Sequence, residues 1–284
     1  MNAILIYSQA TGNGRFASKV KYVVARLNRI FSSVDVCRTE SVAHLKSEAT
    51  KACGTYDVLV FAGGDGTFNH IINAIAKESE RPILAYIPAG TLNDFGKNFG
   101  IGRSIRKSLD IIERGKIESF DIGLIDGETY FAYVAAIGTF SEISYATKRQ
   151  RIHSFGRMAY YMNAVKDAII PNKFDVVVEI DGIKHHHTVP FLLVLNGKYI
   201  GGFPVDRQND LADGKLDVYL TKPGLFNGLL HYLCLKARTS HYRVDRISIS
   251  SSRSTPWCVD GEEGPTGDVS IACLRSHLRI FSRR

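Results

Sequence analysis

Short apolar runs alternate with amphipathic stretches over the first third of the chain. Each run has the length of a β-strand and is followed by apolar residues at helical spacing. The four runs are Ala3–Tyr7, Val34–Cys37, Asp57–Phe61 and Ile83–Ile87. This order predicts a parallel, doubly wound α/β sheet, whose ligands bind beyond the carboxyl ends of the strands. Chemistry is therefore expected in the glycine-containing segments Ser8–Gly14, Gly63–Thr67 and Pro88–Asp94.

The pattern changes after Asp121. From this point Asp-Gly dipeptides interrupt alternating or apolar runs, which is the expected signal for β-hairpins. They lie at residues 126–127, 181–182, 213–214 and 260–261. We predict an α/β domain over residues 1–120 and a mainly β domain over residues 121–274. Two helical patterns, Arg157–Ile169 and Leu225–Ala237, are expected to cover the β layer.

Composition and charge narrow the class of partner. A hydrophobic fraction of 45% and a charged fraction of 23% are typical of a globular protein and argue against disorder. The net charge of +8 favours anionic partners, but Lys and Arg are dispersed along the chain. Since no nucleic-acid module is recognisable either, DNA and RNA are not expected as partners.

Cysteine usage and the uncharged stretches bear on location. The five cysteines are scattered without a Cys-x-x-Cys pair, and no signal-peptide pattern precedes Ile4, which favours reduced thiols in a cytoplasmic protein. The uncharged stretch Thr129–Ser141 is shorter than the roughly 20 apolar residues that a spanning helix needs. We therefore expect no segment to cross a membrane.

The segment Gly63-Gly64-Asp65-Gly66-Thr67 follows an apolar strand and precedes a predicted helix. Glycines let backbone amides approach phosphates closely, and a helix N-terminus adds favourable partial charge. A tight turn that needs positive φ angles would use the same glycines. The added acid and hydroxyl favour phosphate binding, with Asp65 facing the phosphates and a magnesium ion.

The next strand ends in Ile87-Pro-Ala-Gly-Thr-Leu-Asn-Asp-Phe-Gly96. A structural turn needs only the proline and a glycine. Here Thr91, Asn93 and Asp94 add three polar groups, which are expected to face one crevice and hold a ligand.

Together, Gly-Gly-Asp-Gly-Thr and Pro-Ala-Gly-Thr-x-Asn-Asp-Phe resemble the catalytic domain of diacylglycerol kinases. The first motif is shared with NAD kinases and resembles one in phosphofructokinases, whereas the second is characteristic of lipid kinases. The resemblance covers nearly the whole chain. It implies an N-terminal nucleotide-binding domain, a C-terminal antiparallel β-sandwich and an active site in the cleft between them. It also implies an ATP- and Mg2+-dependent kinase that phosphorylates a lipid hydroxyl, diacylglycerol foremost, at a membrane surface.

The resemblance also implies which residues bind the nucleotide. They are Ser8, Thr11, Gly12, Thr39, Gly63, Gly64, Asp65, Gly66, Thr67, Asn69, Gly90, Thr91, Asn93 and Asp94. Two positions depart from the family pattern. The first loop reads Ser8-Gln-Ala-Thr-Gly12 instead of Asn-Pro-x-Ser-Gly, and His70 stands where a glutamate is usual. Thr11 can replace the serine hydroxyl, but His70 cannot supply a carboxylate.

Carboxylates cluster in two later segments. Asp210, Asp213 and Asp217 offer hard oxygen ligands suited to magnesium, although such acids are usually a solvated turn. The resemblance implies a structural magnesium ion held by Asp213 and by carbonyls of Asp210 and Lys215. It also matches Glu262, after the turn Asp260-Gly261, to the acceptor of the substrate hydroxyl proton. Glu263 is its nearest alternative, and Asp65 and Glu262 are the predicted catalytic residues.

Alternatives remain open on the sequence. A kinase of a soluble substrate such as NAD shares the first motif, but Pro88–Phe95 argues against it. A catalytically silent nucleotide- or lipid-binding module would need neither Asp65 nor Glu262. The basic run Lys148–Arg151 is a candidate membrane contact for a peripheral protein at the inner face of the membrane. The resemblance further implies that Leu278–Phe281 return to the first domain, and a homodimer is left open.

Overall fold

The computed structural model describes residues 1–12, 14–138, 173–200, 203–205, 209–222 and 239–283. They form two compact units. Unit 1 contains Met1–Phe120 with Ser276–Arg284, and unit 2 contains Asp121–Arg275. The predicted helices 157–169 and 225–237 and the basic run 148–151 lie outside the described residues.

Unit 1 alternates strands and helices, as its apolar pattern predicts. The elements are β1 (Asn2–Ser8), α1 (Val20–Leu27), β2 (Ser33–Thr39), α2 (Val42–Ala52), β3 (Val58–Gly63), α3 (Asp65–Ile75), β4 (Ile83–Pro88), α4 (Asp94–Asn98) and α5 (Ile105–Arg114). The strands pair in parallel in the order β2-β1-β3-β4. Ile280 of the last strand pairs in parallel with Leu84 of β4. The parallel α/β class is confirmed.

Local sequence explains these elements. Strands β3 and β4 are apolar throughout and buried along their whole length, as central strands of a parallel sheet are. Helices α2 and α5 begin where the hydroxyls of Ser41 and Ser104 accept backbone N–H groups of the first turn. Helix α5 ends at Gly115, whose φ of 71° is the left-handed conformation of a glycine C-cap. The sheet therefore presents the carboxyl ends of β1, β3 and β4 to the segments that the sequence singled out.

The described residues of unit 2 form strands and the turns between them. They are β5 (Ile117–Ile125), β6 (Thr129–Phe131), β7 (Val134–Gly138), β8 (Phe174–Ile180), β9 (Ile183–Val189), β10 (Phe191–Leu195), β11 (Tyr199–Ile200), β12 (Phe203–Pro204), β13 (Leu216–Thr221), β14 (Thr239–Val244), β15 (Arg246–Ser251), β16 (Pro256–Val259), β17 (Glu262–Thr266) and β18 (Val269–Phe281). One antiparallel sheet has the order β14-β13-β10-β7-β16-β17. A second layer contains β18-β15-β8-β9. Side chains of both layers, such as Val176 and Ile249 of one and Leu192 and Trp257 of the other, share one buried cluster. The β-sandwich is confirmed.

Three of the four Asp-Gly dipeptides form the predicted hairpin turns. Asp126-Gly127, Asp181-Gly182 and Asp260-Gly261 have φ angles of 51° and 73°, 52° and 79°, and 51° and 89°. Positive φ at both central residues is the requirement of a type I′ turn. The hairpin prediction at Asp213-Gly214 is wrong, because the described residues just before it, 209–212, form no strand, and β13 pairs with β10 and β14. The Asp213 carboxylate there accepts the N–H of Lys215 two residues on, which is an Asx-turn.

Within the described part of the chain, no helix has the length and apolar character needed to span a membrane.

Candidate functional site

Three backbone segments at the carboxyl ends of β1, β3 and β4 lie against one another in unit 1. The N–H of Ala89 donates to the carbonyl of Gly63 over 2.8 Å. A Cβ atom placed on Gly90 would lie 2.5 Å from the Cα of Gly64, and one on Gly12 would lie 3.6 Å from the carbonyl oxygen of Ala89. We call the segments after β1, β3 and β4 the first loop (8–14), the second loop (63–67) and the third loop (88–94). Glycine is required where the second and third loops touch, because any side chain would push their backbones apart.

Gly90→Ala tests this close approach. The added methyl group would collide with Gly64 and force the two loops apart, and a misplacement of about 1 Å can lower catalysis by about 10²-fold. We expect kcat/KM to fall by up to that factor, measured by steady-state kinetics. Gly102→Ala is the matched control, because a Cβ there meets no heavy atom within 4 Å. Equal activity of the two variants would contradict the steric argument.

Two threonines order the neighbouring loops. The Thr11 hydroxyl accepts the N–H of Ser8 at 3.0 Å and donates to the carbonyl of Ala62 at 3.4 Å. Thr39 pairs with Ser8 across β1 and β2, and its hydroxyl donates to the carbonyl of Tyr7 at 3.4 Å. Both side chains are buried. The first loop is thus closed by a threonine hydroxyl where the family pattern has a serine.

Asn93 shapes the third loop from within. Its Oδ1 accepts the N–H of Gly90 at 2.9 Å, and its Nδ2 donates to the Gly90 carbonyl at 2.8 Å. Its backbone is left-handed, with a φ of 52°. The hydroxyl of Tyr86 lies within hydrogen-bond distance of Asn93 Oδ1 and of the Gly63 carbonyl. Burial, followed by the charges of Asp65 and Asp94, raises the pKa of Tyr86 well above its usual value, so the hydroxyl stays a donor.

The three polar groups predicted to face one crevice are therefore not equivalent. Asn93 and Asp94 are buried, and the Asp94 carboxylate lies 2.7 Å from Nζ of Lys97. Thr91 is exposed, and its carbonyl accepts a hydrogen bond from the guanidinium of Arg103. Of the three side chains, that of Thr91 is the accessible one.

Asp65 begins α3 and joins the second loop to the third. Its Oδ1 accepts the N–H of Phe95 at 3.0 Å, in the first turn of α4. The Phe95 ring stacks on that of Phe68, with the ring centroids 3.5 Å apart. The Thr67 side chain lies against Gly63, where an added Cβ would come within 2.4 Å of it. Sequence reasoning missed the Asp65–Phe95 hydrogen bond, because nothing local indicates a partner 30 positions away.

In unit 2, each predicted metal-site carboxylate has a protein partner. Asp213 contacts the guanidinium of Arg243, and its Oδ1 accepts the Lys215 N–H at 2.8 Å. Asp210 accepts the N–H of Ala212 at 3.2 Å. Beside them, the Oδ1 of Asp217 lies 2.6 Å from Nε2 of His241.

A buried acid that sequence reasoning missed supports this turn. Asp121 is completely buried, and its Oδ2 accepts the N–H of Gly214 at 2.6 Å. Burial, then the charge of Asp121, raises the pKa of the adjacent Cys273 thiol to about 12. The thiol therefore stays protonated and can donate to the carboxylate.

The hairpin of β16 and β17 carries Glu262 as the first residue of β17, opposite Val259. Glu262 is half-buried and Glu263 is exposed, and adjacent strand residues point to opposite faces. Asp260 anchors the turn: its carboxylate accepts the backbone N–H groups of Ala132 at 2.6 Å, Tyr133 at 3.1 Å and Val134 at 3.0 Å. The sequence indicated the turn but not this anchor.

Asp260→Asn is expected to lower the free energy of unfolding by about 1–3 kcal/mol, measured with chemical denaturant. The amide would turn an N–H group toward one of the backbone N–H donors that the carboxylate now satisfies. Asp181→Asn is the matched control, because Asp181 occupies the same turn position on an exposed hairpin and Asn is favoured there. An equally small effect of both substitutions would show that the anchor contributes little.

The parallel sheet with apposed glycine loops, followed by a β-sandwich with an anchored Asp-Gly-Glu hairpin, defines a two-domain kinase. Two family models match the chain: the diacylglycerol kinase catalytic domain over residues 2–125, and the YegS C-terminal NAD kinase beta sandwich-like domain over residues 134–282. The chain belongs to the diacylglycerol kinase family and is a lipid kinase, a transferase that uses ATP.

Curated relatives agree with this assignment, and solved structures share the fold. A diacylglycerol kinase of Staphylococcus saprophyticus is 29% identical over 290 residues, which span 99% of this chain and 95% of the relative. A diacylglycerol kinase of Staphylococcus carnosus is 28% identical over 290 residues, which span 99% of this chain and 94% of the relative. A crystal structure of a diacylglycerol kinase from Bacillus anthracis superposes with a TM-score of 0.86 at 22% identity, covering 99% of this chain and 97% of that one. A second structure from the same organism has a TM-score of 0.88 at 24% identity, covering 99% and 95%. The two structures confirm the fold.

Proposed function

We propose that the protein transfers the γ-phosphoryl group of ATP to the free hydroxyl of diacylglycerol and produces phosphatidic acid. The apposed glycine loops, joined by the hydrogen bond from Phe95 N–H to Asp65, carry the proposal. The segment Pro88–Phe95 is the motif that resembles lipid kinases, and the curated relatives are named diacylglycerol kinase.

Unit 1 is the proposed nucleotide-binding domain, and unit 2 the proposed lipid-substrate domain. The backbones at Gly64 and Gly90 touch because no Cβ atoms separate the two loops. The backbone N–H groups at the start of α3, from Gly64 to Thr67, are proposed to cradle the phosphates. The exposed hydroxyl of Thr91 is available to the nucleotide. Thr11, Thr39 and Asn93 keep the loops in shape through bonds to neighbouring backbone groups.

Asp65 is the proposed carboxylate partner of Mg2+-ATP. Its Oδ1 accepts the Phe95 N–H, and carboxylate oxygens are the hard ligands that magnesium prefers, so this residue type suits a magnesium ligand. Magnesium bound there would neutralise charge on the phosphates. The hydrogen bond to Phe95 would hold the carboxylate in place for that role.

Glu262 is the proposed proton acceptor. As the lipid oxygen forms a bond to the γ-phosphorus, the bond from that phosphorus to the β–γ bridging oxygen breaks, and ADP leaves with the electron pair. The hydroxyl proton passes to the Glu262 carboxylate. The hydrogen bonds of Asp260 fix the turn that precedes Glu262. The carboxylate of Glu262 is therefore proposed to be held in position before the substrate binds.

The protein is proposed to work in the cytoplasm, as a peripheral enzyme at the inner face of the membrane. The lipid acceptor resides in a bilayer, and a net charge of +8 favours an anionic surface.

Incubation with radiolabelled ATP and separate acceptors tests the proposal. The panel is diacylglycerol, monoacylglycerol, ceramide, sphingosine and NAD, with Glu262→Gln protein as the blank. Label is expected in diacylglycerol. Labelling of ceramide or sphingosine instead of diacylglycerol would show that the acceptor is a sphingolipid. Labelling of NAD alone would show that the protein is a kinase of a soluble substrate.

A further inference from the structure

The turn at residues 213–215 is where the family resemblance implies a structural magnesium ion. Asp213 would supply the carboxylate, and Asp210 and Lys215 the carbonyl oxygens. Magnesium demands near-octahedral oxygen ligands and gives up its waters reluctantly. Such a site therefore needs a carboxylate that can turn an oxygen toward the ion without another cation beside it.

Both carboxylate oxygens of Asp213 have partners in the chain. Oδ1 accepts the N–H of Lys215 at 2.8 Å, and Oδ2 contacts Nη2 of Arg243. The Asp213 side chain is 18% exposed and that of Arg243 is 54% exposed, so solvent screens part of their attraction. A guanidinium is always charged, and its planar fork of donors suits a carboxylate. A divalent ion on the same carboxylate would lie next to this positive charge and be repelled by it.

The sheet register brings Arg243 to this position. Strands β13 and β14 are antiparallel, with Asp217 opposite Arg243. Residues two apart on a strand share a face, so His241 lies on the same side as Arg243. The His241 ring stacks on that of Tyr219, its cross-strand partner, and its Nε2 lies 2.6 Å from Asp217 Oδ1. Strand β14 thus places two basic side chains alongside the acids of the turn and of β13.

Protein groups hold the rest of the turn as well. The buried carboxylate of Asp121 accepts the N–H of Gly214, at the residue whose φ is 77°. The side chain of Arg275 covers Gly214, with its Cδ 3.0 Å from the position of an added Cβ. Nζ of Lys215 lies 3.4 Å from Oδ1 of Asp245. Protein groups therefore accept the backbone N–H of Gly214 and pair with the charged side chains of Asp213 and Lys215.

We infer that Arg243 stands in the place of the structural magnesium ion. Its guanidinium neutralises Asp213 and holds the turn, so unit 2 keeps its shape and stability without a divalent cation. This inference concerns the stability of unit 2 and does not depend on which lipid accepts the phosphate. A negative result in the acceptor assay would therefore leave it unaffected.

The role of Arg243 is tested by measuring the melting temperature of the nucleotide-free full chain, once in EDTA and once in millimolar MgCl2. Wild type and Asp213→Asn should respond equally to magnesium, because residue 213 binds no ion in either protein. Arg243→Met should melt at a lower temperature in EDTA and gain a magnesium-dependent rise in Tm, since an ion that binds only the folded state stabilises it. The double variant Asp213→Asn/Arg243→Met should lose that gained rise. Arg246→Met, at an exposed position on β15, should behave as wild type.

Two outcomes would overturn the inference. One is a magnesium-dependent rise in wild type that Asp213→Asn lacks, which would mean that Asp213 binds the ion despite Arg243. The other is an Arg243→Met protein that gains no response. Arg243→Lys keeps a positive charge and should fold without a magnesium response. If Arg243→Met is too unstable to purify, Arg243→Gln takes its place, because it removes the charge but keeps a polar donor, and it should gain the same magnesium-dependent rise in Tm.

Discussion

Glu262→Gln is expected to lower kcat by about 10²–10⁴-fold, with little change in KM for ATP. The amide keeps the size of the side chain and most of its hydrogen bonding, but it cannot take up the hydroxyl proton. The fold should be preserved, because the Asp260 carboxylate that anchors the turn to residues 132–134 is unchanged. Steady-state kinetics with ATP and diacylglycerol, together with circular dichroism, measure the two effects.

Glu263→Gln is the matched control. It makes the same chemical change one residue further along β17, on the opposite face and at an exposed position. It should remain active. A loss that appears in both variants and weakens with added salt would point to a general charge effect at the membrane surface. An active Glu262→Gln enzyme would exclude Glu262 as the base.

Asp65→Asn is expected to lower kcat/KM by at least about 10²-fold while leaving the protein folded. The substitution removes the negative charge proposed to hold Mg2+-ATP, but it retains an oxygen that can accept the N–H of Phe95. Asp65→Ala should abolish turnover and also cost about 1–3 kcal/mol of unfolding free energy, because the Phe95 N–H loses its acceptor. Kinetics and denaturant unfolding of both variants separate the two roles.

Asp57→Asn is the control for this pair. Asp57 immediately precedes β3, at the opposite end of that strand from Asp65, and its carboxylate accepts the N–H of Asn2. It should keep full activity. A folded Asp65→Asn enzyme as active as Asp57→Asn would remove Asp65 from the proposed machinery.

Much of the fold was predictable because it depends on local pattern. The strand–helix rhythm of residues 1–120 predicted the parallel sheet, since apolar runs and helical spacing report burial directly. The turns at 126–127, 181–182 and 260–261 followed from the positive φ angles that Asp-Gly tolerates. The turn at 213–214 was misread, because Asp213 forms an Asx-turn with Lys215 instead of taking a positive φ itself.

The candidate site was predictable in place but not in detail. The glycine loops 63–67 and 88–94 were expected at strand ends, and they lie there. The pattern gave no indication that Asn93 would bond to Gly90 and leave Thr91 as the exposed side chain of its loop. Short polar side chains either face a ligand or satisfy their own backbone, and the sequence does not distinguish these uses.

The amino-acid sequence by itself determined the fold class and the place of the glycine loops, because both depend on residue type and short spacing. The catalytic roles of Asp65 and Glu262 stay predictions. Only the tertiary structure decided which polar groups have partners within the chain. Asp65 meets Phe95 N–H 30 positions away, Asp260 meets Val134 N–H 126 positions away, and Asp213 meets Arg243 across 30 positions. Such pairs arise when sheet register and loop packing bring distant segments together, and no local pattern encodes them.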